Sequence, residues 1–182
     1  MQRISKLFLG IALLYLPADF RATVLSQSAP NIDINGYFSM DKARRGSSVQ
    51  GAVVIDIPSG YHVNSSHPLE KYLIATQLRI DAPQGIRIGP VVYPRALLRT
   101  FKFSKDRLSV YEGRAIVRFN VIVPAGFSSG VAELKAHLRY QSCNNELCFP
   151  PQSRDITLQL PIVPANEPVK RINAKYFGGR SR

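Results

Sequence analysis

From Gly113 to Val123 the chain alternates strictly: Ala115, Val117, Phe119, Val121 and Val123 fall on one face, and Ile116, Arg118, Asn120 and Ile122 on the other. A period of two is that of a β-strand with one buried face, and it excludes a helix. The pattern returns at Val49–Ile57, where Val49, Gly51, Val53, Ile55 and Ile57 share a face. It returns again at Val131–Tyr140, where Ala132, Leu134, Ala136, Leu138 and Tyr140 do so and His137 faces solvent. Ile156, Leu158, Leu160 and Ile162 mark a further strand returning beside it. Weaker strands are expected at Asn31–Lys42 and Tyr72–Ile80. Ile86–Tyr93 reads as a bulged edge strand, since Gly89 and Pro90 interrupt it. Pro94–Glu112 has no clean period and reads as a long ordered loop, the alternative being an irregular edge hairpin whose phenylalanines pack inward. Some eight short strands with frequent turn signals predict one all-β domain, most simply an immunoglobulin-like two-sheet β-sandwich. Alternation by itself does not separate a sandwich from a barrel.

The two ends differ from this middle. Arg3 and Lys6 precede an apolar run, Leu7–Leu16, closed by Pro17, which is the pattern of a signal peptide. The run is shorter than the roughly 20 residues that span a bilayer as a helix. Small residues at Ser26, Ser28 and Ala29 place cleavage near Ala29, so residues 1–29 are the leader and a soluble domain is expected over 30–163. Residues 164–182 carry Lys170, Arg171, Lys175, Arg180 and Arg182 without an apolar pattern, and read as a basic, flexible tail. The whole chain has a formal charge of +12, and losing Arg3, Lys6, Arg21 and Asp19 with the leader leaves +10. The basic residues are spread along the strands and not gathered with aromatics in one stripe, so nucleic acid is not the expected partner.

Chemistry concentrates in Tyr140–Gln152, which holds both cysteines of the chain, Cys143 and Cys148. Four residues separate them, and Asn144 and Asn145 favour a tight turn that brings the sulfurs together. Export favours the oxidised pair. A ring this small stabilises by only about 2 kcal/mol on the entropic account, and a chain this long can bury a core without it. The residues alone leave an inert structural disulfide and a reversible redox pair equally open. Zinc is a third reading, because His62 and His67 are available, but the cysteine spacing sits at the edge of zinc patterns and nothing places these histidines near the thiols. No metal and no cofactor are expected. Asn64-Ser65-Ser66 matches a glycosylation acceptor, a tripeptide of low information.

The stretch Tyr140-Gln141-Ser142-Cys143, with Cys148-Phe149-Pro150-Pro151, resembles the N-terminal periplasmic domain of the thiol:disulfide interchange protein DsbD. Gly60-Tyr61-His62-Val63-Asn64 and Leu108-Ser109-Val110-Tyr111-Glu112-Gly113 fit the same family pattern, and the resemblance covers about residues 36–163. It implies an immunoglobulin-like domain in the periplasm, linked to cytochrome c biogenesis. Its cysteine pair would be reduced by a thioredoxin-like reductase domain or a membrane electron transporter, and would pass electrons to periplasmic disulfide-bearing client proteins. It also implies a loop bearing an aromatic cap over the disulfide, by position Arg99–Lys105 with Phe101 or Phe103 as the cap. Tyr140, Glu146 and Lys102 are then candidates for tuning the thiols. Two departures stand out. The family pattern has five residues between the cysteines where this chain has four, and its cap loop carries acids where this one reads Arg-Thr-Phe-Lys-Phe-Ser-Lys. A cation favours a thiolate and a carboxylate disfavours it, so proton chemistry based on cap-loop acids does not transfer.

Overall fold

The computed structural model describes residues 28–128 and 130–178. All but the last two residues of the expected signal peptide lie outside the described residues. In chain order the strands are β1 (Asp33–Phe38), β2 (Ala43–Arg44), β3 (Ser48–Asp56), β4 (His62–Asn64), β5 (Gln77–Asp81) and β6 (Arg87–Ile88). There follow β7 (Leu97–Arg99), β8 (Leu108–Tyr111), β9 (Arg114–Ile122), β10 (Gly130–Tyr140), β11 (Ser142–Cys143) and β12 (Gln152–Val163), and then one short helix, α1 (Ala174–Phe177).

One sheet runs β1-β3-β9-β6 and is antiparallel throughout. The facing sheet runs β2-β12-β10-β5, with β2 joining β12 in parallel and the other pairs antiparallel. The first sheet has the A-B-E-D order and the second the C-F-G order of an immunoglobulin-like sandwich, with β2 as the stretch where the first strand crosses between sheets. The period-two faces are what hold the sheets together. Val53, Ile55, Val117, Phe119 and Val121 meet Leu134, Leu138, Leu158, Leu160 and Ile162 in a single core. Each such side chain, fully buried, contributes about 1.5–3 kcal/mol. As expected from the interruption at Gly89-Pro90, β6 stops at Ile88, and contact with β9 resumes at a single bridge between Val92 and Arg118.

Three stretches depart from at least one sequence reading, each for a physical reason. Of the two readings of Pro94–Glu112 the structure takes the hairpin and not the loop, with Leu97 opposite Val110 and Arg99 opposite Leu108. All four residues of β8 are buried and all three of β7 are exposed, so neither strand alternates in the way that marks a half-buried strand. Together with β4 and β11 they form a third small sheet, β11-β4-β8-β7, at one end of the sandwich. Tyr72–Ile80 is strand only from Gln77 onward. Before that Leu73 N–H closes a turn on Glu70 O and Ile74 N–H goes to the Gln141 side chain.

The third difference is at the C-terminus, where residues 164–178 fold back on the first sheet. Ile172 N–H bonds Ser39 O, Asn173 Nδ2 donates to Phe38 O, and Arg118 Nε donates to Tyr176 O. Tyr176 is buried against Tyr37, with ring centroids 4.4 Å apart. The reason lies in β3, whose outer face carries Ala52 and Val54. Both are fully buried, a face too apolar to be left to water.

At Gly51 in β3 the partner across the ladder is Phe119, whose ring occupies the space that a β-carbon would need. Gly51→Ala is therefore expected to destabilise the domain by about 1–3 kcal/mol through overpacking, read as a lower thermal midpoint with the fold retained. An unchanged midpoint would show that the ring has room to move.

Candidate functional site

Beyond Tyr140 the chain leaves β10, and β11 pairs with β4, setting Ser142 opposite Val63 and Cys143 opposite His62. Asn144 then makes the turn: its Oδ1 accepts from the N–H groups of Glu146 and Leu147, each at 2.8 Å, and its own N–H donates to Leu147 O. Phe149 N–H returns to Ser142 O at 2.9 Å. The turn seats the Cys143–Cys148 disulfide, with Cα atoms 3.9 Å apart. Cys143 is fully buried and Cys148 only partly so.

The residues around the cysteines join three separate stretches of sequence. Gln141 Oε1 accepts from Asn64 Nδ2 at 3.0 Å and from Ile74 N–H at 3.1 Å, while its Nε2 donates to Phe149 O at 3.2 Å. Ser65 and Ser109 hydroxyls meet at 2.8 Å, and Tyr111 hydroxyl accepts from Ser66 N–H. These contacts fix the frame from which the cysteine turn projects. Tyr140, a tuning candidate, belongs instead to the main core, where its hydroxyl donates to Gln152 Oε1 at 2.8 Å.

The tip of the β7–β8 hairpin covers the turn. Phe101, Phe103 and Cys148 pack together on a small apolar cluster of Leu73, Leu108 and Val110, separate from the main core. Phe101 lies flat on the imidazole of His62, 3.8 Å between centroids and 14° between planes, and Phe103 lies to the side, 5.7 Å from Phe101 and 6.3 Å from His62. Lys102 fastens the tip to the turn, its N–H on Asn145 O at 3.2 Å and its Nζ on Glu146 Oε1 at 2.8 Å. The bond to Glu146 raises the pKa of Lys102, and both side chains are exposed. Such an exposed pair adds little stability. Phe101, Phe103, Lys102 and Glu146 are thus brought to the disulfide, and the fastening of the hairpin is light.

His62 is the residue that sequence reasoning misplaced, since it was weighed there only as a metal ligand. It is 2 % exposed, and desolvation lowers its pKa to about 4, so the ring is neutral at neutral pH. Its Nε2 is buried with no hydrogen-bond partner. His67, by contrast, is on the surface and shares a hydrogen bond with Ser66 Oγ. No group of three or more potential ligands is poised to hold a metal among the described residues. The signal for His62 was its place before Val63: Val63 enters the main core, so its neighbour must point to the opposite face, under the hairpin.

Fold and site together define an immunoglobulin-like domain that carries a disulfide in a turn beneath an aromatic hairpin. The chain belongs to the family described as "Thiol:disulfide interchange protein DsbD, N-terminal", whose model matches residues 36–160. Among solved structures, the chain is similar to the reduced DsbD N-terminal domain of Neisseria meningitidis. That match has 19 % identity and a TM-score of 0.41, over 74 % of this chain and 89 % of that one. It is also similar to the N-terminal periplasmic domain of ScsB from Proteus mirabilis, at 12 % identity and a TM-score of 0.47, over 76 % of this chain and 48 % of that one. No curated protein sequence matches it. Among the described residues no helix is long and apolar enough to cross a membrane.

The folded state holds His62 neutral with its pKa depressed from 6.5 to about 4, so between those values the unfolded chain binds the extra proton. Stability therefore falls as pH drops from about 6.5 toward 4, and His62 adds no further loss below that window. Denaturant titrations at pH 7, 5.5 and 4 should show this slope in the oxidised protein and a shallower one in His62→Phe. Equal slopes would contradict a buried, neutral His62.

Proposed function

We propose that this chain is a periplasmic electron-relay module and a component of protein-disulfide reduction. Its Cys143–Cys148 disulfide accepts an electron pair from a thioredoxin-like reductase domain or a membrane electron transporter, and the dithiol passes that pair to disulfide-bearing client proteins. The observation that carries this reading is the unequal burial of the two sulfurs beneath a hairpin that light contacts hold shut. A disulfide kept only for strength gains nothing from a removable cover. Exchange, in contrast, depends on which sulfur an attacking thiolate can reach. Cys148 is the less buried member, so the partner attacks Cys148 once Phe101 and Phe103 are displaced, and Cys143 is the leaving sulfur. The apolar leader and the family's setting support the periplasm as the compartment. Thiol exchange needs only the sulfurs, so no cofactor is invoked.

The rival reading is an adaptor sandwich in which the disulfide pins a hairpin tip. The energetics speak against it, because a ring worth about 2 kcal/mol is minor beside a two-sheet core. Cys143→Ser should therefore remain folded at room temperature, stop turnover with a thioredoxin-like reductant, and leave Cys148 able to hold a mixed disulfide. Global unfolding of that variant would favour the structural role.

The cap is tested separately. In Phe101→Ala with Phe103→Ala, dithiothreitol should reduce the disulfide faster than in the parent, followed by alkylation and mass. Both rings are only half-buried, so the thermal midpoint should fall by less than the loss of two fully buried phenylalanines, which cost about 3–5 kcal/mol each. Unchanged reduction rates in a folded variant would end the cap assignment.

A further inference from the structure

One buried polar group plays no part in the exchange described so far: the imidazole of His62. In an antiparallel pair, residues directly opposite each other project from the same face, and His62 is directly opposite Cys143. That face is the one beneath the hairpin, where Phe101 stacks on the imidazole, and Phe101, Phe103 and Cys148 each pack against the cluster of Leu73, Leu108 and Val110. Stacking alone does not account for the residue, since a phenyl ring would stack on Phe101 without burying nitrogen. In the disulfide form Nε2 has no hydrogen-bond partner, although a buried polar atom normally has one. A disulfide sulfur is a poor acceptor. A thiolate is a strong one, and it exists at Cys143 only after the bond has opened.

We propose that His62 is the hydrogen-bond donor for the departing Cys143 sulfur, idle while the disulfide is closed and engaged as it breaks. The inference rests on the redox reading above and assigns a role within that same site. In the first step the partner's thiolate bonds to Cys148 Sγ, the Cys143–Cys148 bond breaks, and its electron pair leaves on Cys143 Sγ. No proton moves; the neutral imidazole, protonated on Nε2, keeps its hydrogen and directs it at the new thiolate. In the second step the partner's other thiolate attacks its own sulfur in the mixed disulfide and releases Cys148 as a thiolate. Each cysteine then takes up a proton from water, leaving the partner oxidised by two electrons and the pair reduced by two. An open cleft of about 510 Å³, lined in part by Tyr61, His62, Phe101, Glu112 and Asn145, adjoins the ring. Cys143 is fully buried, and burial without a donor disfavours a thiolate, so the donor acts where the leaving group most needs one.

The test uses the oxidised full-length exported protein and reduced thioredoxin as the probe, with the rate of disulfide opening followed by alkylation and mass. His62→Phe keeps a ring against Phe101 and removes the donor, and it should react about tenfold more slowly or worse, the scale expected for a hydrogen bond to a charged group. His62→Gln restores a side-chain N–H and should recover most of the rate. A merely structural histidine would be replaced better by phenylalanine than by glutamine, giving the reverse order. A third readout needs no variant: in the parent protein, the imidazole nitrogen resonances of His62 should shift on reduction as Nε2 gains its acceptor. Equal rates for the parent and His62→Phe, or resonances that do not respond to reduction, would overturn the assignment while leaving the redox reading intact. A parent protein that reduced thioredoxin leaves oxidised would overturn the redox reading itself, and the role of His62 with it.

Discussion

The flat contact of Phe101 on His62 is the interaction on which the redox end of this molecule depends. It joins a hairpin tip to a strand that is itself paired with Cys143, so the position of the cover and the surroundings of the disulfide are set by one stack. An aromatic pair of this kind adds about 0.5–1.5 kcal/mol beyond the area it buries. That is small beside the sandwich core, so the lifting of the hairpin that the proposed exchange requires does not demand that the domain unfold. Gln141 makes this division of labour workable. By holding Asn64, Ile74 and Phe149 at once, it ties the cysteine turn to the frame independently of the hairpin.

The charge around the cover follows a different logic from that of an acidic cap loop. Glu146 is the acid between the cysteines, and Lys102 meets it directly, so the two charges offset each other beside the turn. Arg99, at the start of the tip, is held by Glu112 across the hairpin. With these charges paired off, the group proposed to meet the Cys143 thiolate is the neutral imidazole of His62, which keeps its own proton.

Much of the sandwich was legible in the sequence because β3, β9, β10 and β12 each bury one face and so carry a period of two. The cysteine turn was legible as well, since Asn144 supplies its own capping bonds. Other parts were hidden for definite reasons. Strand β8 is buried on both faces and therefore shows no alternation, which made its hairpin look like a loop. The C-terminal segment looked like a solvated tail because its one buried side chain, Tyr176, sits among charges. The clue to its docking was elsewhere, in the apolar outer face of β3 at Ala52 and Val54. His62 was hidden because a single histidine carries no periodic signal, and its role depends on a pairing of β4 with β11 across about 80 residues of sequence. Phe101 and Phe103 were singled out by resemblance, while Leu73, Leu108 and Val110, against which they and Cys148 pack, emerge only in three dimensions.

The central claim is that Cys143–Cys148 is a working redox couple and not a staple, and its reduction potential tests this most directly. Equilibrating the purified protein with glutathione and dithiothreitol redox buffers, and counting free thiols by alkylation, gives that value. Structural disulfides typically lie below about −300 mV, and exchanging ones lie higher. The account predicts a potential above that boundary, within reach of thioredoxin-like donors. A potential well below it would contradict the account and leave the disulfide as a pin at the end of a β-sandwich.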